Sequence, residues 1–291
     1  MPSSEPADAR PTIALTLSCP DRIGVVADVA RFLAEHGCNI LESAQYGDAD
    51  NGRFFLRNLF ESTTGEGLAS LEAAFAEVAA TYGMTARFFD ARQKTPTLIM
   101  VSRFGHCLND LLFRWRIGAL PIDIKAVVSN HRDFEDLVRS NGLDFIHLPI
   151  TPATKAAQEA ALEALVTERG VELIVLARYM QILSADLCER FAGRMINIHH
   201  SFLPSFKGAR PYHRAHERGV KLIGATAHYV TQELDEGPII EQAVERVGHH
   251  QGIEDYVAVG RDVEALVLAR AVKWHAEHRV LLNGHRTLVF Q

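Results

Sequence analysis

The chain has 291 residues, 47% of them hydrophobic and 23% charged, with a formal net charge of −6. That length suits two domains better than one, and the composition is that of packed domains, which excludes long disorder. Acids and bases are mixed along the sequence without a block of Lys or Arg, so nucleic acid is not the expected partner. In chain order, residues 1–10 come first: they are polar, carry Pro2 and Pro6, lack an apolar signal core, and read as a flexible tail. No apolar run approaches the roughly 20 residues that span a bilayer. Cys19, Cys38, Cys107 and Cys188 are widely spaced with no Cys-x-x-Cys pair, the pattern of reduced thiols in the cytosol rather than a disulfide framework or zinc site.

Residues 11–91 read as one small domain. Thr12–Ser18 is an apolar strand, and the turn Cys19-Pro20-Asp21-Arg22-Ile23-Gly24 opens a helix whose Val25, Val29, Phe32 and Leu33 share a face. Gly37 is its expected C-terminal cap. Asn39–Gly47 and Arg53–Glu61 flank a turn ending in Asn51-Gly52, a hairpin signal. A helix over Gly67–Tyr82 and a strand over Met84–Asp90 complete a βαββαβ order. The turn run, with Gly37-Cys38-Asn39-Ile40 after the helix, resembles an ACT domain, which implies a ferredoxin-like fold. The resemblance further implies a small effector, commonly an amino acid, held at the loop before the first helix and often between paired copies. Asp21, Gly24 and Asn39 are the residues it assigns, glycine or methionine the effector, and a homo-oligomer the assembly. A helix N-terminus does offer free N–H groups to a carboxylate. The alternative is a module that serves oligomer contacts alone.

Residues 92–96 are a polar joint closed by Pro96, and residues 97–291 form the second domain. Leu98–Val101, Ile124–Val128, Phe145–His147 and Leu173–Leu176 are short apolar runs separated by helical stretches at Leu108–Arg116, Phe134–Arg139 and Ala156–Glu168. That alternation predicts an α/β, doubly wound, mostly parallel sheet, with ligands beyond the strand C-termini. Met195 to Gly208 begins as a strand whose Asn197 and His199, two apart, face the same way. A second strand carries His228 and leads into a loop ending Asp235-Glu236-Gly237. An amide, imidazoles and a carboxylate suit acyl transfer. The first two can hold charge on a carbonyl oxygen, and the carboxylate can orient a histidine and take a proton from water.

Asn197-Ile198-His199, the run Ser201 to Gly208, and His228 through Ile240 resemble the folate-dependent formyltransferase family over most of residues 97–291. By that resemblance Asn197, His199 and Asp235 are the catalytic set. The run Leu176–Leu183 resembles the pterin-binding loop, with Tyr179, Met180, Gln181, Ile182 and Leu183 as its contacts, and Thr231, Gln232, Glu233 and Leu234 form the opposite wall. His200, Lys207 and His228 complete the substrate contacts. Three details resemble the branch in which water accepts the formyl group. These are the ACT-like domain ahead of the catalytic fold, His200 where the transferases more often have Pro, and the runs Phe104–Trp115 and Arg210–His213. Val101–His106 has one glycine and bulky neighbours, a poor cradle for substrate phosphate. The implied activity is hydrolysis of 10-formyltetrahydrofolate to formate and tetrahydrofolate, supplying formate for purine synthesis, without a cofactor.

The rival readings are a transferase with an amine acceptor and a folate or amino-acid sensor without turnover. His213 with His216, His249-His250 and His199-His200 are tempting as metal ligands, but each pair lacks a third group, so no metal is expected. Trp115, Trp274 and a C-terminal helix over Ile253–His278, with Tyr256, Val263, Leu266 and Val267 inward, read as packing.

Overall fold

In the first unit, β1 (Thr12–Pro20), α1 (Val25–Glu35), β2 (Cys38–Asp48), β3 (Arg53–Ser62), α2 (Leu68–Tyr82) and β4 (Thr85–Asp90) follow one another. The computed structural model describes residues 10–203 and 211–291, so only Arg10 of the expected tail lies within it. The strands form an antiparallel sheet in the order β2-β3-β1-β4, the ferredoxin-like arrangement. Val25, Val29, Phe32 and Leu33 of α1 and Leu71 and Phe75 of α2 are buried against Leu15, Leu17, Leu56 and Phe60 of the sheet. Each such side chain contributes roughly 1.5–3 kcal/mol of burial. Gly37, at φ +65, lets the chain leave α1 in the left-handed region.

The chain groups into two compact units, the first division falling between Gln93 and Lys94. The sequence reading runs the second domain to residue 291, whereas contacts assign Glu277–Leu281 and Phe290–Gln291 to the first unit. The reason is electrostatic and aromatic. Arg279 donates twice to the Glu42 carboxylate, at 2.7 and 3.0 Å, and buried Arg57 donates to the Glu277 carbonyl at 3.0 Å. His278 stacks on Phe89 with ring centroids 3.6 Å apart. The C-terminal helix accordingly ends at Ala276 rather than His278.

The second unit is built on β5 (Thr95–Val101), α3 (His106–Arg116), β6 (Ile122–Ser129), α4 (Glu135–Ser140), β7 (Phe145–His147), α5 (Lys155–Glu168) and β8 (Leu173–Leu176). It continues with α6 (Ala185–Arg190), β9 (Met195–His199), α7 (Pro211–Glu217), β10 (Leu222–Tyr229), β11 (Ile239–Arg246) and α8 (Ile253–Ala276). A short hairpin, β12 (Val280–Asn283) and β13 (Arg286–Val289), closes the chain. The sheet order is β11-β10-β9-β8-β5-β6-β7. β9, β8, β5, β6 and β7 run parallel, while β10 and β11 are antiparallel additions. β5 and β8 lie at the centre and are nearly all apolar and buried, as strands covered on both faces must be. In α8, Tyr256, Val263 and Val267 are buried, with Leu268 where the sequence points to Leu266. No helix among the described residues is long and apolar enough to cross a membrane.

The order reverses between β5 and β8, the switch point where such sheets open a crevice. The strand ends there are tied together. Ser102, just past β5, donates its hydroxyl to Asn130 past β6 at 2.8 Å and accepts from the Met180 N–H past β8 at 3.0 Å.

Candidate active site

β9 ends in the crevice. Its period of two places Asn197 and His199 on one face, paired across to His228 and Thr226 of β10. The β10–β11 register slips at His228, a bulge of the kind that re-aims a side chain beside a site. The loop after β10 folds back tightly, with the Tyr229 N–H bonded to the Pro238 carbonyl at 2.9 Å. It carries Asp235 at φ +60, a left-handed conformation that Asp and Asn tolerate best among residues with a Cβ.

This geometry brings Asp235 Oδ2 within 3.2 Å of His199 Nδ1 and Oδ1 within 3.7 Å of His228 Nε2. His228 Nδ1 meets the Tyr229 carbonyl at 2.9 Å, so it must donate there, and Nε2 lies 3.3 Å from Asn197 Nδ2 as well as near Asp235. Burial works to raise the Asp235 carboxyl, but hydrogen bonds and charge from His199 and His228 outweigh it. The net effect holds the carboxyl well below the usual carboxylate range. His199 Nε2 is buried and has no hydrogen-bond partner among the described residues. An ionised carboxylate thus fixes one nitrogen of His199 and leaves the other for whatever occupies the crevice.

The crevice is a cleft of about 350 Å³. Asn197, His199, His200, His228 and Asp235 line it together with Tyr179–Leu183 on one side and Thr231–Leu234 on the other. Met180, Ile182 and Leu234 are exposed and form an apolar lip, whereas Tyr179 is mostly buried, its hydroxyl accepting from Gln158 at 2.9 Å. Lys207 lies outside the described residues. Leu176 and Arg178, which open the run that resembles the pterin-binding loop but carry no role of their own from sequence, also line the cleft, as do Cys188, Ile198 and Val230, which sequence did not assign to the site. Arg178 could have been noticed as the one charge inside the run Leu176–Leu183.

Arg178 belongs to a buried network. Its Nη1 contacts His200 Nδ1 at 2.7 Å, and its Nε lies 3.2 Å from Glu264 Oε2. Glu264, 1% exposed, also pairs with His106 at 2.9 Å and accepts from the Tyr212 hydroxyl at 2.5 Å. Burial first, then the Arg178 and His199 charges, pushes His200 down to about 4. His106, Cys107 and Glu264 place three possible ligand atoms within 4.8 Å of one another. The donors do not suit a cation: Arg178 already neutralises Glu264, and burial, then Glu264, pushes the Cys107 thiol well up.

In the first unit the three effector candidates do not converge within one chain. Asp21 lies beside Gly47, near the end of β2, and Gly24 caps α1 at φ +100. Asn39 is the second residue of β2, opposite Glu61, and eight steps of strand at about 3.3 Å each separate it from Gly47.

Residues 96–272 match the formyl transferase family, and residues 13–79 match the ACT domain. The formyltetrahydrofolate deformylase of Corynebacterium sp. (strain P-1) is 53% identical over 278 residues, covering 95% of this chain and 97% of that protein. That of Bacillus subtilis (strain 168) is 49% identical, covering 95% and 93%. The crystal structure of formyltetrahydrofolate deformylase from Burkholderia mallei ATCC 23344 superimposes with a TM-score of 0.92 at 53% identity, covering 97% of this chain and 100% of that one. An ACT domain followed by a formyl transferase domain, matched end to end at this identity, means that the chain belongs to the formyltetrahydrofolate deformylase family.

Proposed function

We propose that the chain hydrolyses 10-formyltetrahydrofolate to formate and tetrahydrofolate. The observation that carries this reading is the Asp235–His199 pair beside Asn197 at the floor of the cleft. In this scheme the pterin lies between Tyr179–Leu183 and Thr231–Leu234, and the formyl group reaches Asn197 and His199. His200 and His228 flank it, and Lys207 completes the substrate contacts. Water attacks the formyl carbon, and Asp235 and His199 carry its proton to the departing nitrogen. Charge on the oxygen is held by Asn197 and His199, each such donor being worth roughly 2.7–4 kcal/mol. The products are formate and tetrahydrofolate, and the reaction balances with water alone, without cofactor or metal.

Water rather than an amine is favoured by the turn after β5. A nucleotide acceptor needs a phosphate cradle, but a Cβ at Gly105 would lie 2.3 Å from the Phe134 ring, which already covers the glycine. The Ser102 hydroxyl is committed to Asn130 and Met180. We further assign the first unit to regulation and homo-oligomer assembly, with glycine or methionine as effector. The physiological role would be cytosolic, balancing folate pools and releasing formate for purine synthesis. Incubation with 10-formyltetrahydrofolate and saturating glycinamide ribonucleotide should yield formate and tetrahydrofolate in equal amounts. Stoichiometric formylation of the nucleotide, with formate suppressed, would overturn the reading.

A further inference from the structure

Two histidines stand side by side in the cleft with opposite partners. His199 and His200 stack at 4.8 Å between ring centroids and 22° between planes. On His199, Nδ1 faces the Asp235 carboxylate, which accepts. On His200, Nδ1 faces the Arg178 guanidinium, which only donates, because arginine has no acceptor and keeps its proton in proteins. Nδ1 of His200 must therefore be the bare nitrogen, and its single proton must sit on Nε2. That N–H is buried and has no partner among the described residues, and an unsatisfied buried donor costs about 1–3 kcal/mol.

Arg178 is held for this task at some expense. Its φ is +63, a region that a residue with a Cβ rarely occupies, at a cost of about 1–3 kcal/mol. Its side chain is 10% exposed, with Phe104 under the guanidinium at 5.6 Å and Glu264 behind it. Glu264 is in turn bound by His106 and Tyr212. Among the described residues, the charged and titratable groups around His200 are thus Arg178, His199, Asp235, Glu264 and Tyr212.

We propose that Arg178 is a positioning residue that fixes His200 as a neutral imidazole with its proton on Nε2, so that His200 serves as a hydrogen-bond donor to oxygen in the cleft and never exchanges the proton itself. The division of labour follows. Proton movement falls to the carboxylate-backed His199, while the arginine-backed His200 can act neither as base, its free nitrogen being occupied, nor as acid, since loss of the Nε2 proton would leave an imidazolate. A donor that cannot be titrated stays in place while charge develops on the reacting oxygen, with no reorganisation at the moment of reaction. Without Arg178, His200 would keep the effect of burial but lose the charge facing Nδ1, so Nδ1 would be free to take a proton at higher pH than it does beside the guanidinium.

This inference rests on the hydrolytic reading, and its test separates the two. Full-length enzyme labelled with ¹⁵N-histidine is followed by ¹H–¹⁵N correlation from pH 8 to 5.5, with His200 assigned by the signal lost in His200→Gln. The wild type should show Nε2 protonated and Nδ1 bare throughout. Arg178→Met and Arg178→Lys keep a Cβ at the same φ, so backbone strain is unchanged. In Arg178→Met, burial still disfavours the imidazolium but the guanidinium no longer does, so His200 should titrate at higher pH than in the wild type, and the ratio of variant to wild-type kcat should fall about twofold or more between pH 8 and 5.5. Arg178→Lys, which still donates, should recover most of that loss. A wild-type His200 that carries its proton on Nδ1, or titrates near 6.5, overturns the proposal, as does an Arg178→Met ratio that stays flat. If Arg178→Met does not fold, the wild-type spectrum alone decides. Absence of formate release by the wild type would sink the hydrolytic reading and leave the tautomer to the spectrum.

Discussion

Asp235 occupies a backbone position that limits how it can be tested. At φ +60 an alanine would add strain to the loss of the carboxylate, whereas asparagine tolerates the left-handed region as aspartate does. Asp235→Asn should therefore leave the loop in place and remove the charge facing His199. Formate release should fall about 100- to 10,000-fold, the range of general acid–base catalysis, with KM for the folate changed less than about threefold. The depressed carboxyl also stabilises the fold at every pH above its unfolded value of about 3.9, a contribution lost as pH falls through the folded value. At pH 7 the variant should melt several degrees lower, and the two melting curves should converge as the buffer is acidified. A variant with near wild-type kcat would remove Asp235 from the chemistry. At this scale the sequence was informative where chemistry is concentrated, since Asn197, His199 and Asp235 stand in two short polar stretches that end apolar strands. It placed Arg178 in the pterin-loop run but was silent on its pairing with Glu264, because a pair 86 positions apart has no local pattern. Only the fold brings that carboxylate behind that guanidinium.

The loop between β10 and β11 is the element on which the site depends most. A Cβ on Gly237 would lie 1.8 Å from the Tyr229 carbonyl oxygen, closer than any real contact, so the loop must move if that residue gains a side chain. Asp235 is two residues away. Gly237→Ala should lower kcat at least tenfold and reduce the melting temperature. Gly252→Ala is the control, because its nearest neighbour would be Asp255 Oδ2 at 3.8 Å, and it should change neither. Equal behaviour of the two variants would show that the loop closes without the tight turn. Elements such as β5 and β8 could be read from the sequence because strands buried on both faces are continuous apolar runs. β11 could not: it lies at the edge of the sheet, its burial alternates weakly, and four of its eight residues are charged or amide. The ferredoxin-like unit was legible almost to the residue because α1 shows its helical face and the Asp48–Gly52 turn marks the hairpin.

Across the whole molecule, the first unit is not a continuous stretch of chain. Glu42 answers two guanidinium groups, Arg57 at 3.4 Å and Arg279 at 2.7 Å, and both hold the carboxyl below its ordinary range against a smaller desolvation effect, hydrogen bonding to Arg279 leading. The Arg57 side chain is 3% exposed. Glu42→Ala would take from that buried charge its salt-bridge carboxylate, a change of the type that costs roughly 3–5 kcal/mol when fully buried and less here, since Glu42 is a third exposed and Glu277 remains nearby. Differential scanning calorimetry should show the variant unfolding at least about 5 °C lower, while Glu42→Gln, which still accepts hydrogen bonds, should lose less. Identical melting of all three proteins would remove the cluster from the stability of the unit.

The order of synthesis gives that cluster a temporal meaning. A ribosome delivers the strands of the first unit long before it delivers Arg279, which follows Glu42 by 237 positions. Through all of that interval Arg57 lacks the Glu277 carbonyl, and Glu42 lacks its stronger partner. The first unit is therefore finished only after Lys94–Ala276 of the second has been synthesised, and its ion cluster is complete when Glu277–Leu281 emerges. A nascent chain interrupted before residue 277 would hold the Glu42–Arg57 pair without its third member, a mark by which it differs from a chain that has passed that point.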